Sequence, residues 1–389
     1  MEIKREWAMI LKGKFNTAKI FTENVEEACI EQIKNLLNIE AFAGTKIRIM
    51  PDCHAGKGCV IGFTMPIVDK IIPNLVGVDI GCGMYCINLE KTKEEIDFTK
   101  LDDIINKLIP SGFNVREKPY NADINEWVEN TNENIWGVPR DKVYYVARSI
   151  GTLGGGNHFI EVAESEQTKK CYLIIHSGSR FLGVHICGSW QTRAELNFRY
   201  ERNIPKEIVP DELCWLEGDD LRWYLTDMKE CAKYARLNRE IISEIIINAM
   251  KWNDFLSVSQ GFHTVHNYVS DDNMIRKGAI SAKKGEKVLI PLNMRDGSLL
   301  CIGKGNLEWN YSAPHGAGRV LSRKKAKEML SLDDFKESMK DVYTTSVCKE
   351  TIDEAPDAYK KDVETLIGDT VEIFDKLKTV YNFKAKNNR

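Results

Sequence analysis

Apolar runs alternate with Gly or Asn over residues 7–21, a pattern that predicts two short strands. Val25, Cys29, Ile33 and Leu36 share one face of a helix predicted over about 25–37, with Asn24 as its cap. Residues 47–50 read as a strand ending at Pro51, and the turn-rich loop 51–58 follows. Strand material resumes over 59–68 and again over 75–89. The second of these runs bends sharply at Gly77-Val78-Asp79-Ile80-Gly81-Cys82-Gly83-Met84. Residues 91–150 are more polar and predicted helical, with 143–147 either a strand or the tail of a helix.

Beyond a second Gly-rich turn at 151–159, strands are predicted over 160–163 and 171–175. The latter delivers His176-Ser177-Gly178-Ser179-Arg180. The longest periodic segment is 219–252, where Leu221, Leu225, Met228, Ala232, Ala235, Ile242, Ile246 and Ala249 keep near-helical spacing. It reads as one long helix, unbroken or broken once. Strands are predicted at 288–291 and 299–302. The charged stretch 323–380 reads as helical, and the basic tail 379–389 as ending in loose residues. No repeat, low-complexity block or linker divides the chain. The pattern therefore predicts an α+β fold: a single large domain over 1–389, with a β-rich core flanked by helices.

Composition narrows the class. The 389 residues are 43% apolar and 29% charged, as in ordinary soluble globular proteins. A net charge of −3 announces no global basic field for nucleic acid, although it is compatible with a local basic groove. Eleven irregularly spaced cysteines do not form a disulfide framework and point to a reducing compartment. With no signal-peptide core at the start and no apolar run of spanning length, the expectation is a cytoplasmic protein without a membrane partner.

The candidate chemistry centres on the glycine bend. Asp79 and Cys82 together offer a carboxylate and a thiolate to a borderline metal such as Mn²⁺, Zn²⁺ or Fe²⁺. Alone, that pair reads more commonly as a buried Cys in a Gly-rich turn. The histidines change the balance. Of seven, His54, His158, His176, His263, His266 and His315 each lie in a Gly-rich or turn-like loop beside a predicted element. Three neutral imidazoles with Asp79 and Cys82 would serve one metal, or two if the thiolate bridges. His263 and His266 face one way if helical; an extended loop presents only one of them. His315, in His315-Gly316-Ala317-Gly318-Arg319, is a candidate covalent nucleophile, with Arg319 and Arg323 able to neutralise phosphate. A Gly-rich turn with solvent-facing arginines explains that segment equally well. The Gly-x-x-x-x-Gly-Lys-Ser/Thr phosphate loop and the Lys-x-Asp-Gly ligase nucleophile are both absent.

Taken together, six pieces in order resemble the RtcB family of GTP-dependent RNA ligases. They are Pro51-Asp52-x-His54, Asp79-x-x-Cys82-Gly83, Gly156-Asn157-His158-Phe159-x-Glu161, His176-Ser177-Gly178-Ser179-Arg180, His266-Asn267 and His315-Gly316-Ala317-Gly318-Arg319. The resemblance implies a ligase that joins RNA 2′,3′-cyclic phosphate or 3′-phosphate ends to 5′-hydroxyl ends, in RNA repair or tRNA splicing. It implies GTP and two Mn²⁺ ions as cofactors, and is compatible with a protein activator. It implies that Asp79, Cys82, His158, His176 and His266 hold the metals, with Cys82 bridging. His315 would carry GMP. Asn157, His158, Phe159, Glu161, His266, Asn267, Pro291, Met294, Ser298, Gly316, Ala317, Gly318 and Lys384 would contact the nucleotide. Arg180, Arg319 and Arg323 would meet phosphates.

One loop departs from the family. Where members usually have Pro-Gly-Ser-Met-Gly, this chain has Pro291-Leu292-Asn293-Met294-Arg295. Two glycines are lost and bulk is gained, which bears on nucleotide preference. Two rivals follow: a metal-dependent phosphoesterase, which would need no covalent nucleotide, and an RNA-end binding protein that has lost ligation.

Overall fold

The computed structural model describes residues 8–23, 25–252 and 261–385. In chain order the strands are β1 (Met9–Lys12), β2 (Thr17–Ile20), β3 (Ile47–His54), β4 (Ile61–Pro66), β5 (Lys70–Ile71), β6 (Gly83–Asn88), β7 (Phe159–Ser165), β8 (Cys171–Ser177), β9 (Leu216–Glu217), β10 (Phe262–Val265), β11 (Asn267–Val269), β12 (Met274–Lys277), β13 (Ala279–Ser281), β14 (Lys287–Asn293), β15 (Gly297–Gly303), β16 (Ser312–Pro314) and β17 (Val371–Lys384). The α-helices are α1 (Glu27–Leu37), α2 (Phe98–Leu108), α3 (Ala122–Thr131), α4 (Arg140–Ser149), α5 (Arg180–Leu196), α6 (Gly218–Met250), α7 (Arg323–Met329), α8 (Leu332–Ser338) and α9 (Val363–Ile367).

Two sheets organise the chain. One runs β1-β2-β3-β4-β12-β11 and the other β10-β6-β8-β7-β17-β15-β14. Every pair in the second sheet is antiparallel. In its register Met84 and Phe159 both lie opposite His176, and Val265 lies opposite Gly83. The start of β6, the end of β8, the start of β7 and the end of β10 therefore meet at one edge. The main core joins apolar residues from this sheet, such as Tyr85, Ile87, Leu173 and Ile175, to Met228, Ile242 and Ile246 of α6. α6 is continuous across 33 residues, with no break. Among the described residues, no helix is long and apolar enough to cross a membrane.

The predicted α+β architecture with a strand-rich core is the one observed, with several corrections in detail. The strand at 47–50 passes through Pro51 to His54. Its pairing with β4 shifts between Ile49 and His54, so the missing proline N–H breaks no regular ladder there. Residues 143–147 lie within α4. α1 starts at Glu27, and the predicted cap Asn24 lies outside the described residues.

The largest difference concerns 323–380. Only α7, α8 and α9 are α-helical in that stretch, and its end builds the 14-residue strand β17, which lies between β7 and β15. Residues 379–384 are thus part of a central strand; the end of the tail, read as loose, falls at 386–389, outside the described residues. Val371, Asp375, Leu377, Thr379 and Tyr381 are buried on alternate positions, a period of two. Two of those five side chains are polar, which hides the alternation from a reading of hydrophobicity. Asp375 is satisfied by the Ser165 hydroxyl, which donates to it at 2.6 Å.

Candidate metal and nucleotide site

The sheet edge assembles the candidate ligands. Cys82 precedes β6, His158 precedes β7, His176 lies near the end of β8 and His266 follows β10. Cys82 Sγ lies 3.4 Å from Nε2 of both His158 and His176. Asp79 Oδ2 is 3.1 Å from His158 Nε2. Two three-residue groups result, Asp79–Cys82–His158 and Cys82–His176–His266, each with its ligand atoms within 4.8 Å of one another. The thiolate position is common to both.

Backbone carbonyls aim the imidazoles. His158 Nδ1 is 2.8 Å from Leu153 O, and His176 Nδ1 is 3.1 Å from Asn157 O. A ring that donates from Nδ1 to a carbonyl keeps its Nε2 lone pair for a cation. Burial, reinforced by neighbouring imidazoles, pushes His176 and His266 well below the usual histidine range. They are therefore neutral, the form that ligates. Burial and then Asp79 push the Cys82 thiol well up. Burial would also raise Asp79, but the hydrogen bond and charge of His158 outweigh it and hold the carboxyl low. The donor set, with one thiol, one carboxylate and three imidazoles, fits borderline divalent cations. Among the described residues His266 Nδ1 is buried without a hydrogen-bond partner, which leaves a ring nitrogen for a cation.

The His263–His266 ambiguity is resolved by β10. The segment is extended, so the two rings diverge. His263 stacks on Tyr85 and lies 3.1 Å from Glu240, while His266 joins the cluster.

A cavity of about 930 Å³ opens beside the cluster. His176 and His266 line it, together with Asn157, Phe159, Glu161, Pro291, Met294, His315, Gly316, Ala317, Gly318, Arg319, Arg323 and Lys384. The His315 ring centroid is 4.9 Å from that of His266. His315 Nδ1 is 2.6 Å from Asp52 Oδ2, an ion-pair distance outside hydrogen-bond alignment. Glu161 lies opposite Asn382 across β7 and β17, and the Asn382 amide donates to Glu161 Oε2 at 3.1 Å. Among the described residues Glu161 Oε1 and Asn382 Oδ1 are buried without hydrogen-bond partners. Burial drives the Glu161 carboxyl up to about 8, although hydrogen bonds from Asn382 and Thr379 oppose the shift.

Not every predicted residue reaches the cavity. Asn267 holds the bend instead: its amide donates to Asp79 O at 3.2 Å and its Oδ1 accepts from Gly278 N at 2.9 Å. Ser298 is buried on β15, and its hydroxyl has no partner. Arg180 lies on the Asp79 side, away from Arg319 and Arg323, and donates to Thr152 Oγ1 and Gly112 O. Arg319 donates to Leu321 O and to the Tyr359 hydroxyl. Arg323 pairs with Asp353 at 2.6 Å and Glu354 at 2.5 Å, and Lys384 pairs with Glu354 at 2.8 Å. Glu354, Tyr359 and Asn382 escaped the sequence reading, as did the pairing of Asp52 with His315. Asp52 carried a usable signal, since it stands in the Pro51-Asp52-x-His54 motif. Glu354 sits in a charged stretch with no motif.

Comparison with known proteins shows the family. The family described as "tRNA-splicing ligase RtcB" matches residues 32–385. Over 407 residues the chain is 33% identical to the RNA-splicing ligase RtcB of Escherichia coli (strain K12), covering 94% of this chain and 97% of that protein. It is 28% identical over 397 residues to the tRNA-splicing ligase RtcB of Aeropyrum pernix, covering 80% of this chain and 81% of the relative. The corresponding enzyme of Methanococcus maripaludis is 26% identical over 444 residues, with 92% and 90% covered.

Proposed function

We propose, from the premise that the chain belongs to the RtcB family and is an RNA ligase, that it joins RNA 3′-phosphate or 2′,3′-cyclic phosphate ends to 5′-hydroxyl ends through a guanylated His315. The observation that carries this reading is the pair of three-ligand groups sharing Cys82, with His315 beside His266. Asp79, Cys82 and His158 would hold one divalent cation, and Cys82, His176 and His266 a second. Bound there, Mn²⁺ would supply charge neutralisation for a triphosphate and for the reacting phosphate.

The chain's own residues account for the remaining steps. His315 would attack the GTP α-phosphorus from Nε2, because Asp52 faces Nδ1, with the α–β phosphoanhydride bond breaking and pyrophosphate leaving; the P–N bond would then break as GMP passes to the RNA 3′-phosphate, and the 5′-hydroxyl would displace GMP. The Asp52 carboxylate would offset the positive charge that develops on the ring. The unpartnered Glu161 and Asn382 oxygens lie where a guanine edge with two N–H donors could satisfy them; adenine lacks that pair. Asn157, Phe159, Pro291, Met294, Gly316, Ala317 and Gly318 would surround the nucleotide, and Ser298 would offer its free hydroxyl. Lys384 would reach the nucleotide from its pair with Glu354. Asn267 would act through the Asp79 backbone rather than by contact. Arg319 and Arg323 would meet phosphates by exchanging their present protein partners, and Arg180 would meet an RNA phosphate on the Asp79 side. RNA repair and tRNA splicing, a cytoplasmic setting, a protein activator and a single catalytic domain over 1–389 all belong to this proposal.

The test is the intact mass of the protein after incubation with Mn²⁺ and either GTP or ATP. The expected result is a gain of one GMP, acid-labile and lost in His315→Ala. A gain of AMP instead would mean that the Leu292–Arg295 loop has altered base choice. No adduct with either nucleotide would count against the covalent mechanism and favour a phosphoesterase or an RNA-end binder.

A further inference from the structure

Two adjacent polar side chains are fully buried in the middle of α6, facing the ligand-bearing loops. Asn238 and Arg239 both have zero exposure. Among the described residues neither has an acidic partner in contact; their hydrogen bonds run mostly to backbone, apart from those to Ser177 Oγ and from Arg239 Nε to His263 Nδ1 at 3.4 Å. Asn238 Oδ1 accepts from Gly151 N at 2.8 Å and Thr152 N at 3.2 Å. Its amide donates to Thr152 O at 3.1 Å, Ser177 Oγ at 3.0 Å and Gly178 O at 3.2 Å. The Ser177 hydroxyl in turn donates to Leu153 O at 2.8 Å. That same carbonyl faces Nδ1 of His158. Arg239 Nη1 donates to Gly81 O at 2.7 Å and Ser177 O at 2.8 Å. Gly81 precedes Cys82, and Ser177 follows His176.

We infer that the Asn238–Arg239 pair is the positioning element of the metal centre. It ties together the three backbone segments that carry Cys82, His158 and His176. Burying a guanidinium and a carboxamide is unfavourable unless each donor and acceptor is used. Most are used here: Arg239 reaches the carbonyls of the residues adjoining Cys82 and His176, with Nε on His263 Nδ1 at 3.4 Å, and Asn238 reaches the 151–152 turn, Ser177 Oγ and Gly178 O. One Arg239 donor, Nη2, is left without a partner. The arrangement accounts for how ligand atoms from separate loops are held within 4.8 Å of one another. It extends the metal reading above and rests on it. Asn238 and Arg239 touch no ligand side chain, so they act through the backbone and through the Ser177 hydroxyl.

The test is Co²⁺ binding followed by its thiolate charge-transfer absorption, with Zn²⁺ and Mn²⁺ affinities measured by competition. The variants are Arg239→Lys, Asn238→Asp and Ser177→Ala. The last removes only the hydroxyl that links Asn238 to Leu153 O, and so serves if a helix variant does not fold. Metal-free melting temperature is measured on each. The expected result is a loss of about 10–100-fold in metal affinity, the usual effect of removing an outer partner of a ligand. It should come with a shifted Co²⁺ spectrum and a metal-free melting temperature close to wild type in Ser177→Ala. Unchanged affinity and spectrum in every variant that folds would overturn the inference while leaving the metal reading intact. Wild-type protein that binds no Co²⁺ would overturn both.

Discussion

Glu161 is the cavity residue whose ionisation burial opposes most plainly. Burial lifts its carboxyl from an ordinary 4.5 to about 8. A folded value above the unfolded one means that the fold favours the neutral acid. That contribution is complete below about 4.5 and is lost as pH rises through about 8. The nucleotide-free protein should therefore lose thermal stability across this window. Glu161→Gln should flatten the profile and melt higher than wild type at pH 8. The same change removes a charged acceptor for guanine N–H groups, so GMP adduct formation should fall about ten- to a hundredfold. A wild-type melting temperature that is flat from pH 5 to 8 would rule out the strained carboxyl. At this scale the sequence was informative where chemistry is local. Each candidate ligand histidine stands in a short Gly-rich or turn-like motif, and the chemistry of imidazole and thiol is readable from those letters. Glu354 was illegible because its importance comes only from Arg323 and Lys384, the latter 30 positions away in sequence.

The hairpin joining β14 to β15 is the element in which this chain departs from its family. Asn293 Oδ1 accepts from the backbone N–H groups of Arg295 and Asp296, and the Arg295 guanidinium closes on the Asp296 carboxylate at 2.7 Å. The altered residues thus build a self-contained turn, while Leu292, Asn293 and Met294 present themselves to the cavity. Gly297 fixes how this turn returns to the sheet. It has φ +79, and a Cβ there would stand 1.8 Å from Leu377 O and 2.9 Å from Thr379 N on β17. Gly297→Ala should destabilise the protein by roughly 2–5 kcal/mol, combining the left-handed backbone penalty with overpacking. Gly285→Ala is the control: its φ is +81 and nothing lies within 4 Å of the added Cβ. It should show the backbone penalty alone, about 1–2 kcal/mol. Equal losses in chemical denaturation would mean that the approach of β17 is not tight. The hairpin strands were legible from their apolar runs. β17 was not, because Asp375 and Thr379 occupy buried positions that an apolar pattern would assign to the surface, and only pairing with β7 and β15 makes them interior.

For the molecule as a whole, the candidate site joins distant parts of the chain, and occupancy should therefore be felt as global stability. Asp79, Cys82, His158, His176 and His266 span nearly 190 positions of sequence and meet only in the folded sheet. An unfolded chain offers no such constellation, so a cation binds the native state almost exclusively. At a hundred times its dissociation constant, a metal bound at one site adds about 2.7 kcal/mol to unfolding. The sharing of Cys82 makes the effect divisible. Wild type should bind two equivalents by native mass spectrometry and melt higher with metal than after chelation. His266→Ala removes a ligand from one group only and should retain a single equivalent with a smaller thermal gain. Cys82→Ser takes the common ligand from both groups, so it should lose both equivalents at concentrations that saturate wild type, and its melting temperature should no longer respond to the chelator. If Cys82→Ser keeps one equivalent at wild-type affinity, the thiolate does not join the two groups. The centre would then have to be redrawn as two separate sites, or as one site formed without the cysteine.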